Sequence, residues 1–342
     1  MTEQLCVPKE KERKAVTFRQ LSFGWLGLFC LLLMLRNSTT ATEYITRGLR
    51  LCAKTIIPSL FPFMVISEII LSSGLGNKLL RPLTPFFKPL FQLPEQGCCA
   101  VLMGMFCGFP IGARCAMSAL KSNHLTREEA ERVLLFSTNP STAFLINAVG
   151  VSLFGSRRFG VALCVAVLLS QLIAGLLSTH LSSSENRRAA SEISVKTENI
   201  QPTAHISKLF TQAIASASSG IFLVCAYVVF FSALSGTVNL VLNQTNVPSL
   251  LQTIIACVLE LSGGVSTACG LPSQDLAMIL CAFATGWTGI SVHCQLLSVC
   301  DGQGLRLRPY FVAKLLQGIL CSIIIWIWIK IDPSLLISIG GC

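Results

Sequence analysis

The residues able to do chemistry in this 342-residue chain gather where its apolar runs are interrupted. In the first half the interruptions are Gly108-Phe109-Pro110-Ile111-Gly112-Ala113-Arg114 and Thr138-Asn139-Pro140-Ser141. In the second they are Glu260-Leu261-Ser262-Gly263-Gly264 and Thr285-Gly286-Trp287-Thr288-Gly289, with His293 one turn further on. Glycine and proline disrupt helices. A broken helix frees amide and carbonyl groups that hydrocarbon cannot satisfy, so such backbone persists only against protein or a polar cavity. Amides at a helix N-terminus carry the positive end of the dipole and suit an anion. Breaks at comparable places in two halves therefore predict a solute site at membrane depth.

Each candidate residue has two readings. Arg114 follows Pro110 and Gly112 and suits a bidentate clamp on a carboxylate, whereas an arginine near the end of an apolar run also snorkels to the interface. Glu68 and Glu260 are intramembrane acids that could carry a coupling proton or help to hold sodium, or could simply bond a neighbouring helix. His293 is either a donor to a carboxylate or a packed core residue. Trp287 is an aromatic wall or an interfacial anchor. Thr138, Asn139, Ser141 and Thr288 offer side-chain hydrogen bonds, and Gly108, Ser262, Gly263, Gly264 and Gly289 offer backbone. Asn147 and Gln295 read as ties between helices, and Trp326 and Trp328, beside Lys330, as interfacial residues.

The elements that must position these groups are helices in a bilayer. Hydrophobic residues make up 52% of the chain, charged residues 12%, and the mean hydropathy is +0.68. An ordinary soluble domain is about 25% charged. The net charge of +10 lies at the edges of apolar runs and in connections, as at lipid headgroups, and no basic, aromatic-interleaved module predicts a nucleic-acid partner. A span needs about 20 residues. Charge-poor runs cover 20–42, 55–77, 96–120, 133–156, 159–184, 209–259, 276–300 and 315–329, and the polar centre 239–249 divides the longest in two. This predicts an all-α, polytopic membrane protein of eight to nine hydrophobic segments. Most of the sixteen cysteines fall inside apolar runs without Cys-x-x-Cys or zinc spacing, so neither a disulfide framework nor a metal site is expected. No cofactor motif, nucleophile elbow, phosphate loop or metal helix points to an enzyme.

The chain divides into a basic head (1–20), an N-terminal anchor (21–42), a first repeat (45–181), a polar linker (182–206), a second repeat (207–330) and a tail (331–342). Residues 104–113 lie over 260–268, residues 139–148 over 286–295, and Gln171 over Gln317. Duplication with broken helices or re-entrant hairpins is common among secondary transporters, and the reading here is of two inverted halves. Thr126-Arg127-Glu128-Glu129 predicts a capped helix start between spans.

Ile56-Ile57-Pro58-Ser59-Leu60-Phe61-Pro62, GFPIGA at 108–113, FSTNPS at 136–141, LELSGG at 259–264 and Gly286-Trp287-Thr288-Gly289 resemble the YlbJ-type sporulation integral membrane proteins. These fall in the nucleoside-recognition, or Gate, group, which is related to concentrative nucleoside transporters. The resemblance covers about residues 45 to 330. It implies a secondary-type carrier, in the outer forespore membrane, of a small anionic aromatic metabolite, dipicolinate. The partners so implied are that metabolite, the lipid bilayer and a coupling proton or sodium ion. Carriage of nucleosides or another metabolite, and a non-transporting scaffold for spore assembly, are the alternatives.

Overall fold

The computed structural model describes residues 18–73, 82–181 and 206–337. The basic head up to residue 17, Lys78, Arg81, the polar linker over 182–205 and the last five residues lie outside that range. Among the described residues every regular element is helical. The fold is all-α, as the sequence predicts.

Helix α1 (Phe18–Arg36) ends at Asn37, and a nearly continuous helical run follows: α2 (Ser38–Leu51), a wide-turned π segment π1 (Cys52–Ile56), and α3 (Ile57–Ser72). Pro58 and Pro62 each lack an amide hydrogen, so the ladder loses donors just where the wide turn gives way to α3. The segment read as the anchor, 21–42, takes in most of α1 and the start of α2. After the short α4 (Thr84–Phe91) come α5 (Glu95–Cys107) and α6 (Ile111–Lys121). A methyl group added to Gly112 would lie 2.7 Å from Gly104 Cα, whereas eight residues of straight helix span about 12 Å. The apolar run over 96–120, which the sequence leaves open as a broken helix or a re-entrant hairpin, is therefore a hairpin, folded back at Gly108-Phe109-Pro110.

Helix α7 (Arg127–Ser137) begins with the anticipated capping box, in which the Thr126 side chain accepts from the Glu129 amide and the Glu129 carboxylate from the Thr126 amide. It breaks at Thr138-Asn139-Pro140 and continues into π2 (Phe144–Leu153), and α8 (Arg157–Leu181) closes the half. A long helix α9 (Ile206–Gln244) is followed by α10 (Ser249–Leu259) and α11 (Leu261–Cys269), with Glu260 between them. A methyl group on Gly264 would lie 2.5 Å from Cys257 Cα, so this pair also folds back. Helices α12 (Gln274–Trp287) and α13 (Gly289–Cys300) form one span broken at Thr288, and α14 (Arg308–Ile331) and the short α15 (Ser334–Ile337) end the described chain.

Five helical stretches are long and apolar enough to cross a bilayer: Ser38–Ile70, Arg157–Leu177, Ser207–Gln244, Gln274–Cys300 and Arg308–Ile331. Shorter apolar helices lie at Gly27–Arg36, Glu95–Cys107, Phe144–Leu153 and Ser249–Leu259. Large apolar side chains on the long helices point outward, among them Phe63, Ile66, Phe222, Phe230, Ile319 and Trp326, while Asn139, Gln171, Glu260, His293, Lys314 and Gln317 are buried. In water that arrangement would cost both ways; against lipid tails it is the stable one.

Candidate functional site

Each hairpin tip is seated on the break of the span that follows it. At the first, Gly108 has φ +77°, and a methyl group there would meet the Ser141 amide nitrogen at 2.5 Å. Only glycine combines that backbone with so close an approach. The Phe109 amide donates to the Asn139 carbonyl at 2.6 Å, and Thr142 Oγ1 donates to the Phe106 carbonyl at 3.1 Å. These bonds satisfy backbone groups freed by the two interruptions. At the second tip the equivalent glycine lies on the broken span: Gly289, φ +78°, sits under the Leu261 amide at 2.9 Å from where its Cβ would be. Trp287 Nε1 donates to the Val258 carbonyl at 3.1 Å.

The two docked pairs meet at one small chamber of about 50 Å³. Its walls are Phe109 from the first tip, Pro140, Ser141 and Phe144 from the first broken span, Glu260, Leu261 and Ser262 from the second tip, and Thr288, Val292 and Gln295 from the second broken span. Ile56 and Leu60 from the first long helix and Val224 and Val228 from the second close the sides. Thr288 is buried with φ +70°. A β-branched residue in the left-handed region costs about 1–3 kcal/mol and persists where surrounding structure holds it, as at binding sites.

Glu260 is 2% exposed. Its Oε1 accepts from the Ser262 amide at 2.9 Å and its Oε2 from the Gly263 amide at 2.5 Å. The chain's own carboxylate therefore occupies the N-terminus of α11, the place where the sequence predicts free amides for a substrate. Glu260 also lines a larger cavity of about 360 Å³, together with Gly263.

Behind the chamber a buried polar network joins the halves. Lys314, 2% exposed, donates from Nζ to Asn139 Oδ1 at 2.9 Å and to Gln317 Oε1 at 2.8 Å. Gln317 Nε2 also donates to Asn139 Oδ1, at 2.9 Å. His293 Nδ1 shares a hydrogen bond of 3.1 Å with the Tyr310 hydroxyl, and its ring lies edge-on to Trp287 with centroids 4.3 Å apart. Asn139 Nδ2 and His293 Nε2 are buried without a partner among the described residues, and unsatisfied groups of this kind are scarce in folded proteins.

The predicted residues thus separate by place. Ser141, Ser262, Thr288 and Glu260 line the chamber. Gly108, Pro110 and Gly112 shape the first hairpin, and Gly264 packs the second against Cys257. Thr138, whose hydroxyl donates to the Leu134 carbonyl, lies with Asn139 and His293 away from the chamber wall. Trp287 ties the second broken span to its hairpin, and Phe109 and Phe144 supply the aromatic wall instead. Arg114 does not reach the chamber: Nη1 donates to the Ser216 carbonyl at 3.1 Å, and the Ser216 hydroxyl donates to Glu68 Oε1 at 2.9 Å. This trio links the first hairpin to both long helices.

Sequence reading missed Lys314, which it left at the edge of a run beginning at Leu315. The signal was there: Lys314 and Gln317 are three apart on one helix, and so share a face. Gln295, expected to tie helices, lines the chamber.

Fold and site together define a multi-pass helical membrane protein with a transporter-like core. Residues 53–157 match the Gate family, described as nucleoside recognition. The chain is 24% identical over 326 residues to the sporulation integral membrane protein YlbJ of Bacillus subtilis (strain 168), with 87% of this chain and 80% of that protein covered. The similarity read from the motifs is shown by these matches. No solved structure matches the chain.

Proposed function

We propose that the protein is a secondary-type carrier, not an enzyme, that moves a small anionic aromatic metabolite, dipicolinate, from the mother cell across the outer forespore membrane. The observation that carries this reading is the convergence of two hairpin tips and two broken spans on one chamber. Two phenyl rings suit a flat aromatic solute, and the hydroxyls of Ser141, Ser262 and Thr288 suit its oxygens. The name of the B. subtilis relative supports the sporulation setting. The halves act as inverted repeats about this chamber, with Glu260 carrying the coupling proton and Lys314 a fixed cation that favours an anionic guest.

A volume of about 50 Å³ admits water but falls well below the roughly 300–1,000 Å³ of small-molecule sites. Loading therefore requires a hairpin to leave its seat. The nucleoside-recognition description of residues 53–157 favours a second reading, carriage of a nucleoside. Flux of labelled dipicolinate into proteoliposomes, with excess nucleoside as competitor, separates them. Saturable dipicolinate uptake indifferent to nucleoside is expected; uptake of nucleoside alone would establish the second reading, and no flux of either would remove both.

A further inference from the structure

We propose that the 360 Å³ cavity bounded by α2, π1, α9 and the second hairpin is a separate capture site for a small organic anion, which passes from it to the chamber by way of Glu260. The proposal rests on the transport reading above and adds a second site to it. Three observations carry it.

The first is charge. Arg47, Arg50 and Lys54 line this cavity, and their spacing of three and four residues puts them on one face of a helix. Arg47 is held by Glu43 at 2.5 Å and lies over the Tyr44 ring. Among the described residues Arg50 and Lys54 have no carboxylate partner, so their charge is available to a guest. These cations outnumber Glu260, the one carboxylate in the lining, and a concave surface of net positive charge on low-dielectric walls concentrates anions and raises their association rate by about 10 to 1,000-fold.

The second is size. At about 360 Å³ the cavity falls within the range of small-molecule sites, whereas the chamber does not. An anion thus finds room here before any hairpin moves. The third is adjacency. Glu260 and Gly263 line this cavity, and Glu260 also walls the chamber, so the two spaces share that residue. Asn239 adds a side-chain amide at the same cavity; its Oδ1 is buried with no partner among the described residues and, as an acceptor, suits a water rather than the anion itself.

A lipid headgroup presents the same oxyanion chemistry, so the test must separate lipid from solute. Arg50 and Lys54 are exposed, and the double variant Arg50→Gln/Lys54→Gln should fold. Initial rates of labelled dipicolinate uptake are measured in proteoliposomes of purely zwitterionic lipid and of lipid with added anionic headgroups, at low and high ionic strength. Expected in both lipids is a fall of about tenfold in the rate at subsaturating dipicolinate, with the maximal rate kept and the gap to wild type closing at high salt. Normal low-concentration uptake by the double variant, beside an active wild type, overturns the capture site and leaves the transport reading standing. A defect confined to anionic vesicles makes this a headgroup site and also overturns it. Inactive wild-type protein removes both.

Discussion

Lys314 Nζ lies 2.9 Å from Asn139 Oδ1, and this bond fastens the last long helix of the second half to the break in a span of the first. A lysine at membrane depth is costly and persists where it has a task. Lys314→Met removes the charge, takes the donor from Gln317 Oε1, which costs about 1–3 kcal/mol when left unpaired, and leaves Asn139 Oδ1 with Gln317 Nε2 alone; the loss is offset in part because the charge itself no longer has to be buried. Dipicolinate flux is expected to fall at least about tenfold, equivalent to 1.4 kcal/mol, while the purified protein stays monodisperse. Normal flux in that variant would remove the fixed-cation role.

Gly112 tests the first hairpin. A methyl group there would lie 2.3 Å from the Ser137 carbonyl oxygen, and backbone cannot yield as a side-chain end can. Overpacking of this kind costs about 1–3 kcal/mol, so Gly112→Ala should lower the thermal midpoint in detergent by several degrees. Gly24→Ala, at a position with nothing within 4 Å, should leave the midpoint in place.

Arg114 and Thr288 divide the parts of the cycle. Arg114 anchors the first hairpin through Ser216, so Arg114→Ala is expected to lower the maximal rate and leave KM within about twofold. Thr288 lines the chamber, and Thr288→Val, which keeps the shape and deletes the hydroxyl, should raise KM. Concentration series in proteoliposomes read both; a raised KM for Arg114→Ala would return that residue to the binding site.

Glu260→Gln tests the second hairpin. The carboxylate accepts from two amides, and a glutamine side chain offers one oxygen and an NH2 that meets a donor. Loss of a helix cap costs about 0.5–2 kcal/mol, so the hairpin should open more often. Cys257, fully buried on its first arm, should then react faster with a thiol reagent, as followed by peptide mass mapping. Unchanged labelling would show that the cap does not hold the hairpin shut.

Much of this was legible in composition and punctuation. The interruptions at Gly108-Phe109-Pro110, Asn139-Pro140, Glu260 and Thr288-Gly289 mark the hairpin tips and span breaks, because glycine, proline and a lone acid in an apolar run leave few other conformations. The run over 209–259 divides at its polar centre, with α9 ending at Gln244 and α10 beginning at Ser249. What local pattern does not encode is whether an interrupted run turns back or passes through. The segment around Gly108 folds back, and that around Thr288 runs on, although both are glycine-rich. The difference lies in contacts between arms, such as Gly112 against Gly104. Long-range pairing hid the network too: Asn139 and Lys314 are 175 residues apart. The partner of Arg114 was hidden for the same reason, since Ser216 belongs to a distant helix.

The Phe109–Asn139 and Trp287–Val258 hydrogen bonds each stay within one half of the molecule. Neither bond shares a residue with the other. In the carrier proposed above, the protein resembles an airlock with two doors on a single compartment, each with a latch of its own, and the leak that would follow from both standing open is avoided as long as one latch holds.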